Sequence, residues 1–180
     1  MGISMDSWYG ILAPRPVVLV STISKNGISN AAPFSFVMPV SSDPPLIAFG
    51  SVEKRHTLQN IRETGDFVIN IPSVELIQQL WGCAESLPRD VSEIMHTGLT
   101  EVKSNKVKSP KIKECFAKLE CKLEKECPAG DHIIVIGRIV DMEIDKKVLN
   151  GNKLDPHKAN PLMHLKGENF AKVGEIIRAE

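Results

Sequence analysis

The apolar positions of this chain fall mostly in short runs broken by turn residues. Val17-Val18-Leu19-Val20, within Pro16–Ser24, is a compact run of β-formers and predicts a buried strand. Lys25-Asn26-Gly27 follows, and Asn-Gly predicts a tight turn. Ile28–Val40 predicts a second extended stretch. It should be interrupted, bulged or at an edge where Pro33 and Pro39 lack a ladder N–H. Ser42-Asp43-Pro44-Pro45 reads as a turn and Leu46–Gly50 as a third buried strand. The pattern then changes: Leu58 and Ile61 are the apolar positions of an amphipathic helix from about Thr57 to Thr64, with Gly65 where a left-handed C-terminal cap belongs. Asp66–Ile71 returns to strand and ends at Pro72. Val74–Trp81 and Arg89–His96 predict short helices.

Lys103–Lys113 carries lysines with Ser and Pro and no aromatic residue, the pattern of a solvated connector. Cys115–Cys127 alternates strictly. Cys115, Ala117, Leu119, Cys121 and Leu123 are apolar, whereas Lys118, Glu120, Lys122 and Glu124 are charged. That predicts a strand with one face buried and one in water. Pro128–Asp131 turns the chain, and His132–Ile144 predicts its hairpin partner. Asp145–Glu180 is loop-rich with short apolar pieces. Antiparallel connections dominate, with helices inserted between strands. The expected class is therefore mainly β, a small antiparallel barrel with appended helices rather than a doubly wound parallel sheet.

Composition narrows the functions. The 180 residues suit one domain, and neither a repeat nor a linker divides residues 1–180. Lys plus Arg and Asp plus Glu number 22 each, so no global field attracts nucleic acid or an acidic membrane surface. A neutral chain has little colloidal repulsion, which eases self-association. No apolar run approaches the roughly 18–20 residues that span a bilayer. Met1–Pro16 lacks the form of a secretory signal, and Asp6 stands where a myristoylation pattern wants Ser or Thr. A cytoplasmic address is expected. Cys115, Cys121 and Cys127 lie six residues apart, roughly 20 Å per interval on a strand, too far to share a metal or bond to each other. They and Cys83 are expected as buried, reduced thiols, with a redox or metal role left open.

No glycine-rich nucleotide loop, zinc-binding helix pair or nucleophile elbow is present, and the five histidines form no i, i+4 pair. Two segments carry candidate chemistry. Ser51-Val52-Glu53-Lys54-Arg55-His56-Thr57 leads into a helix start, where backbone N–H groups, hydroxyls and Arg55 could meet an anion. Spacing alone equally allows Thr57 as a plain cap and Arg55 as a solvated charge. In Asn30-Ala31-Ala32-Pro33-Phe34-Ser35-Phe36, small residues would let a flat ligand approach the backbone, and Asn30 and Ser35 offer polar contacts. An ordinary bulged edge strand is the alternative.

Taken in order, Arg15–Thr22, Asn30–Phe36, Ser42–Ile47, Arg55–Ile61, Glu63–Asn70 and Gly130–Ile139 resemble the flavin reductase-like family of FMN-binding split barrels, flavoredoxin-type proteins included. The resemblance spans roughly residues 10–170. It implies a split β-barrel with short inserted helices and a homodimer binding FMN noncovalently near the subunit interface. By position, Asn30, Ala31, Ala32, Pro33, Phe34 and Ser35 would line the isoalloxazine and ribityl chain. Gly50, Ser51, Arg55, His56 and Thr57 would surround the phosphate. His132 matches a position on the nicotinamide or substrate side, and His164, in Pro161-Leu162-Met163-His164, is a weaker match there. Phe170 stands where the family usually has Tyr. The implied activity is an NAD(P)H-dependent flavin or ferric reductase, passing electrons from FMN to a small molecule or protein. A flavin-bound electron carrier and a non-catalytic FMN-binding module are the alternatives. The implied chemistry calls for no metal and no catalytic acid, base or nucleophile.

Overall fold

The computed structural model describes residues 5–179. Seven strands form one antiparallel sheet: β1 (Val18–Ile23), β2 (Ser29–Phe34), β3 (Val37–Ser42), β4 (Pro45–Val52), β5 (Asp66–Ile71), β6 (Ala117–Ala129) and β7 (His132–Ile144). Their order is β2-β1-β5-β6-β7-β4-β3. The two outer strands, β2 and β3, are consecutive in the chain, so the sheet curls until its edges meet at Ser35-Phe36. There the Gly50 N–H donates to the Phe36 carbonyl at 2.8 Å. This is the split of the barrel.

The prolines explain where the predicted second strand breaks. Pro33 pairs with Leu19 and Pro39 with Ile47, each on an outer strand, and the register slips between Pro39 and Ser41. An edge strand tolerates a missing N–H because no neighbour awaits it. The Asn-Gly turn also differs from a two-residue hairpin. Ser24 N–H bonds Ile28 O (2.8 Å) and Gly27 N–H bonds Ser24 O (3.0 Å). Gly27 alone adopts positive φ (82°), as in a three-residue loop ending in a glycine bulge.

The run Val17–Val20 is continuous because its two faces serve two cores. Val18 and Val20 join Phe34, Phe49, Phe67 and Ile69 inside the barrel. Val17 and Leu19 join Leu80, Ile94 and Leu162 beneath the helices. Phe34 and Phe67 meet Phe49 edge-on at 4.8 and 5.5 Å between ring centroids. Helix α1 (His56–Thr64) adds Leu58 and Ile61 to the barrel core and ends at Gly65, whose φ of 76° carries the predicted left-handed cap. Two short helices, α2 (Ile77–Gly82) and α3 (Glu93–His96), cover the other core. β8 (Met163–Lys166) pairs with Arg15–Pro16 and with β9 (Asn169–Ala171).

The long hairpin corrects two expectations. The strand starts at Ala117, so Cys115 lies in the preceding turn. Lys118 and Glu120 are buried rather than wetted, because the lysine-rich connector folds over them. Glu120 accepts the N–H groups of Asn105 (2.8 Å) and Lys106 (2.6 Å), and Asp66 accepts those of Lys108 (3.0 Å) and Ser109 (3.1 Å). Lys118 and Lys111 both reach Glu143, at 3.2 and 2.8 Å. The connector is thus a cover pinned by two carboxylates, with Ser109 and Ile112 fully buried. All four cysteines are free thiols.

Candidate functional site

Two recesses meet where the barrel splits. One, of about 150 Å³, lies at the start of α1 and is lined by Asn30, Lys54, Arg55, His56, Thr57 and Glu93 among others. The other, of about 240 Å³, is lined by Ala32, Pro33, Phe34, Ser35, Phe36, Gly50, Arg55 and His132 among others. Ala32 and Arg55 belong to both, so they form one elongated cleft.

At the first recess, Arg55 is the N-cap residue in extended conformation, and its side chain makes no capping bond. Nor does Arg55 ion-pair with any carboxylate among the described residues. Thr57 does not cap the helix either. Its hydroxyl donates to Asn30 Oδ1 at 3.1 Å. The first turn contains no acidic residue, so its N–H groups, the positive dipole end and a guanidinium without an ion-pair partner share one recess, which Glu85 and Glu93 also line. Asn30 is tied from both sides, since its Nδ2 donates to Glu93 Oε2 at 2.8 Å. Burial holds the Glu93 carboxyl above its ordinary pKa, against hydrogen bonds from Asn30 and the Ala31 N–H.

The second recess is walled by rings. Phe36 and His132 lie 5.5 Å apart and tilted by 37°. Gly50 lies directly beneath them, and a Cβ there would meet Phe36 Cβ at 3.4 Å and His132 Cδ2 at 3.6 Å, ordinary contact distances. His132 pairs with Asp131 at 2.8 Å, which lowers the Asp131 pKa. Beyond them lies a chamber of about 490 Å³, lined by Trp8, Tyr9, Phe36, Met38, His132 and others. Ser35 lines both, and its hydroxyl lies 3.0 Å from Nδ1 of His164, which reaches the cleft through this contact.

Two nominated residues lie elsewhere. Ala31 is fully buried in the core beneath the helices, on the face of β2 opposite Asn30 and Ala32. Ser51 is 1 % exposed, its hydroxyl bonds the Val52 carbonyl at 3.2 Å, and it lines neither recess. Strand alternation accounts for both. Glu93, Cys83, Phe36 and Arg15 were not nominated as site residues, although Phe36 closes the candidate segment, Arg15 opens the family resemblance and Cys83 was expected only as a buried thiol. Glu93 and Cys83 sit in unremarkable helical text. Arg15 does carry a signal, a cation set between two prolines directly before a buried apolar run.

An anion recess joined to a flat, ring-walled cavity accepts a long ligand with an anionic tail and a planar body. No cluster of three metal-binding side chains occurs among the described residues, and no helix there is long and apolar enough to cross a membrane. The fold and cleft define a flavin-binding split barrel. The chain belongs to the flavin reductase-like domain family, whose model matches residues 11–171. An uncharacterized protein of Methanothermobacter thermautotrophicus is 40% identical over 178 residues, covering 94% of this chain and 84% of that one. Component B of nitrilotriacetate monooxygenase from Bacillus cereus superposes with a TM-score of 0.90 at 29% identity, over 98% of this chain and 95% of that one. The flavoredoxin of Desulfovibrio vulgaris does so with a TM-score of 0.85 at 26% identity, over 93% and 91%. The family places this chain in flavin-related redox chemistry.

Proposed function

We propose that this protein binds FMN noncovalently and acts in the cytoplasm as an NAD(P)H-dependent flavin or ferric reductase. The observation that carries the reading is Arg55 at the α1 start, without an ion-pair partner among the described residues, in a recess continuous through Ala32 with the ring-walled cavity. Bound there, FMN would supply a hydride acceptor, a role that amino-acid side chains do not fill. Arg55, His56 and the first N–H groups of α1 would hold the phosphate. Ala32, Pro33 and Ser35 would lie along the ring system. The adjoining chamber would give a nicotinamide room beside His132, and its mostly apolar lining would help keep water from the reacting faces once the cavity is closed.

A second copy of the chain belongs to this reading. Phe36, just before edge strand β3, and Met38 and Val40 on it are 43, 56 and 45 % exposed, an apolar strip next to the cleft. A homodimer through this strip would close the cavity. Electrons would leave for free flavin, ferric iron or a protein. The likeness to a flavoredoxin supports a carrier role as the second reading. One experiment separates the two: FMN-reconstituted protein is titrated anaerobically with NADH and then NADPH while the flavin absorbance is followed. Bleaching by either supports the reductase. A protein that takes up FMN, is bleached by dithionite and ignores both nucleotides is a carrier. A protein that never turns yellow refutes both.

A further inference from the structure

Arg15 is 9 % exposed, yet no carboxylate among the described residues pairs with it. Its guanidinium donates to the carbonyls of Tyr9 (2.6 Å), Leu12 (3.2 Å) and Leu165 (3.0 Å), and it lies over the rings of Tyr9 and Phe36 at 5.9 and 5.8 Å. Its remaining contact is to Nδ1 of His164, at 3.3 Å. A guanidinium only donates, so that nitrogen must offer a lone pair. The other ring nitrogen agrees: Nε2 lies 3.0 Å from the Gly167 carbonyl, which only accepts, so Nε2 carries the hydrogen. The tautomer of His164 is thereby set from both sides. Ser35 Oγ, 3.0 Å from the same Nδ1, can only donate to it. The one lone pair of Nδ1 is shared between Arg15 at 3.3 Å and Ser35 at 3.0 Å; the shorter contact draws the single Ser35 proton to His164, and the Ser35 oxygen then turns lone pairs toward the cleft.

We propose that Arg15 and His164 hold Ser35 as an obligate hydrogen-bond acceptor that favours the reduced flavin. The proposal rests on the FMN reading above. Oxidised flavin presents a lone pair at ring nitrogen N5. Reduction adds two electrons and one proton there, from a nicotinamide hydride in the proposed reaction, and turns N5 into an N–H donor. An acceptor-only oxygen repels the first state and bonds the second. Ser35 is the residue at the ring, and Arg15 and His164 are positioning residues that act through it.

The test compares wild type, Ser35→Ala, Ser35→Thr and His164→Phe. For each, the affinity for oxidised FMN is read from fluorescence, and the midpoint potential of bound FMN from dithionite reduction against a reference dye. Ser35→Ala should shift the ratio of oxidised- to reduced-FMN dissociation constants about fivefold toward the oxidised form. At about 30 mV per tenfold for two electrons, that is a potential lower by about 20 mV. Ser35→Thr keeps the hydroxyl and should retain the wild-type ratio. His164→Phe frees the Ser35 proton to meet the oxidised ring, so oxidised FMN should bind more tightly relative to reduced. A purely structural role would weaken both states alike, and an unchanged ratio in Ser35→Ala or His164→Phe overturns the proposal. If wild type binds FMN but the ratio does not move, the relay alone fails. A wild type that takes up no FMN overturns the FMN reading, and this assignment with it.

Discussion

Replacing Arg55 by Ala tests the phosphate end of the cleft with little structural side effect. Arg55 lies at the mouth of α1 and makes no capping bond, so its removal breaks no cap. It also pairs with no carboxylate among the described residues, so no partner is left unpaired in the free protein. What the substitution removes is a charge-assisted contact to the phosphate, worth about 1–3 kcal/mol. That corresponds to a rise of about 5- to 150-fold in the Kd for FMN. Riboflavin has the same ring system and no phosphate, so its Kd should stay within about twofold. Arg55→Lys keeps the charge but loses the planar fork, and should fall between wild type and Arg55→Ala. Added salt should weaken FMN binding to wild type more than to Arg55→Ala, because screening acts on the contact only one of them has. Fluorescence titration of both ligands into each protein, beside a thermal melt of the apo form, supplies every number. An Arg55→Ala protein that loses riboflavin and FMN equally would show that Arg55 shapes the cleft instead of binding phosphate. An unchanged Kd for FMN would remove Arg55 from the site altogether.

Three further outcomes are expected. Gly137→Ala would place a Cβ 2.3 Å from Phe67 Cζ and 2.8 Å from Cε1, so the barrel core must shift; a loss of about 1–3 kcal/mol should appear in urea melts, and an unchanged midpoint would show that the Phe67 ring yields freely. Burial raises the Glu93 pKa in the folded state, so its share of stability is full below the unfolded value and is lost as pH rises through the folded value. Wild type should therefore lose stability relative to Glu93→Gln as pH rises above the ordinary glutamate value of about 4.3, and melts that keep a constant difference across that rise would contradict it. Burial pushes the Cys83 thiol to about 11 and those of Cys115 and Cys121 to about 12, whereas Cys127 is half-buried. A thiol-exchange reagent at pH 8 should titrate one thiol in the native protein and all 4 after denaturation; more than one fast native thiol would show the core opening.

How much of this was legible depended on range. Val17–Val20 reads as a strand from composition, and its continuity already says that both faces are covered. Gly65 and Gly130 sit where their positive φ is needed, and both were readable as turn or cap signals. Alternation failed at Lys118 and Glu120, because what covers them is a lysine-rich connector whose sequence looks solvated. Only the carboxylates of Asp66 and Glu120, 42 and 15 residues away along the chain, turn that connector into a lid. The nominated stretch Asn30–Ser35 was chosen as a block; at its start strand alternation sends Ala31 to the other core while Asn30 and Ala32 line the cleft, and from Ala32 to Phe36, as the strand ends, consecutive residues line it. Long-range pairing was the least legible. Ser35 and His164 are separated by 129 positions, and no local pattern announces that they touch.

The position of the cleft follows from the sheet itself. A seven-stranded antiparallel sheet has two edges, and this chain runs directly from one to the other through Ser35-Phe36. Pro33 and Pro39 keep those edges from pairing fully, which leaves backbone, small side chains and the Phe36 ring beside the gap. α1 follows β4 after only three residues, so its N-terminus is delivered to the same end of the split. Anion recess, planar cavity and apolar edge strand are thus consecutive products of one chain reversal rather than three separate inventions. Arg15 and His164 then approach from the outside, on a small sheet of their own, and govern which hydrogen-bonding role Ser35 plays. The barrel provides the place, and the added strands tune the chemistry it favours.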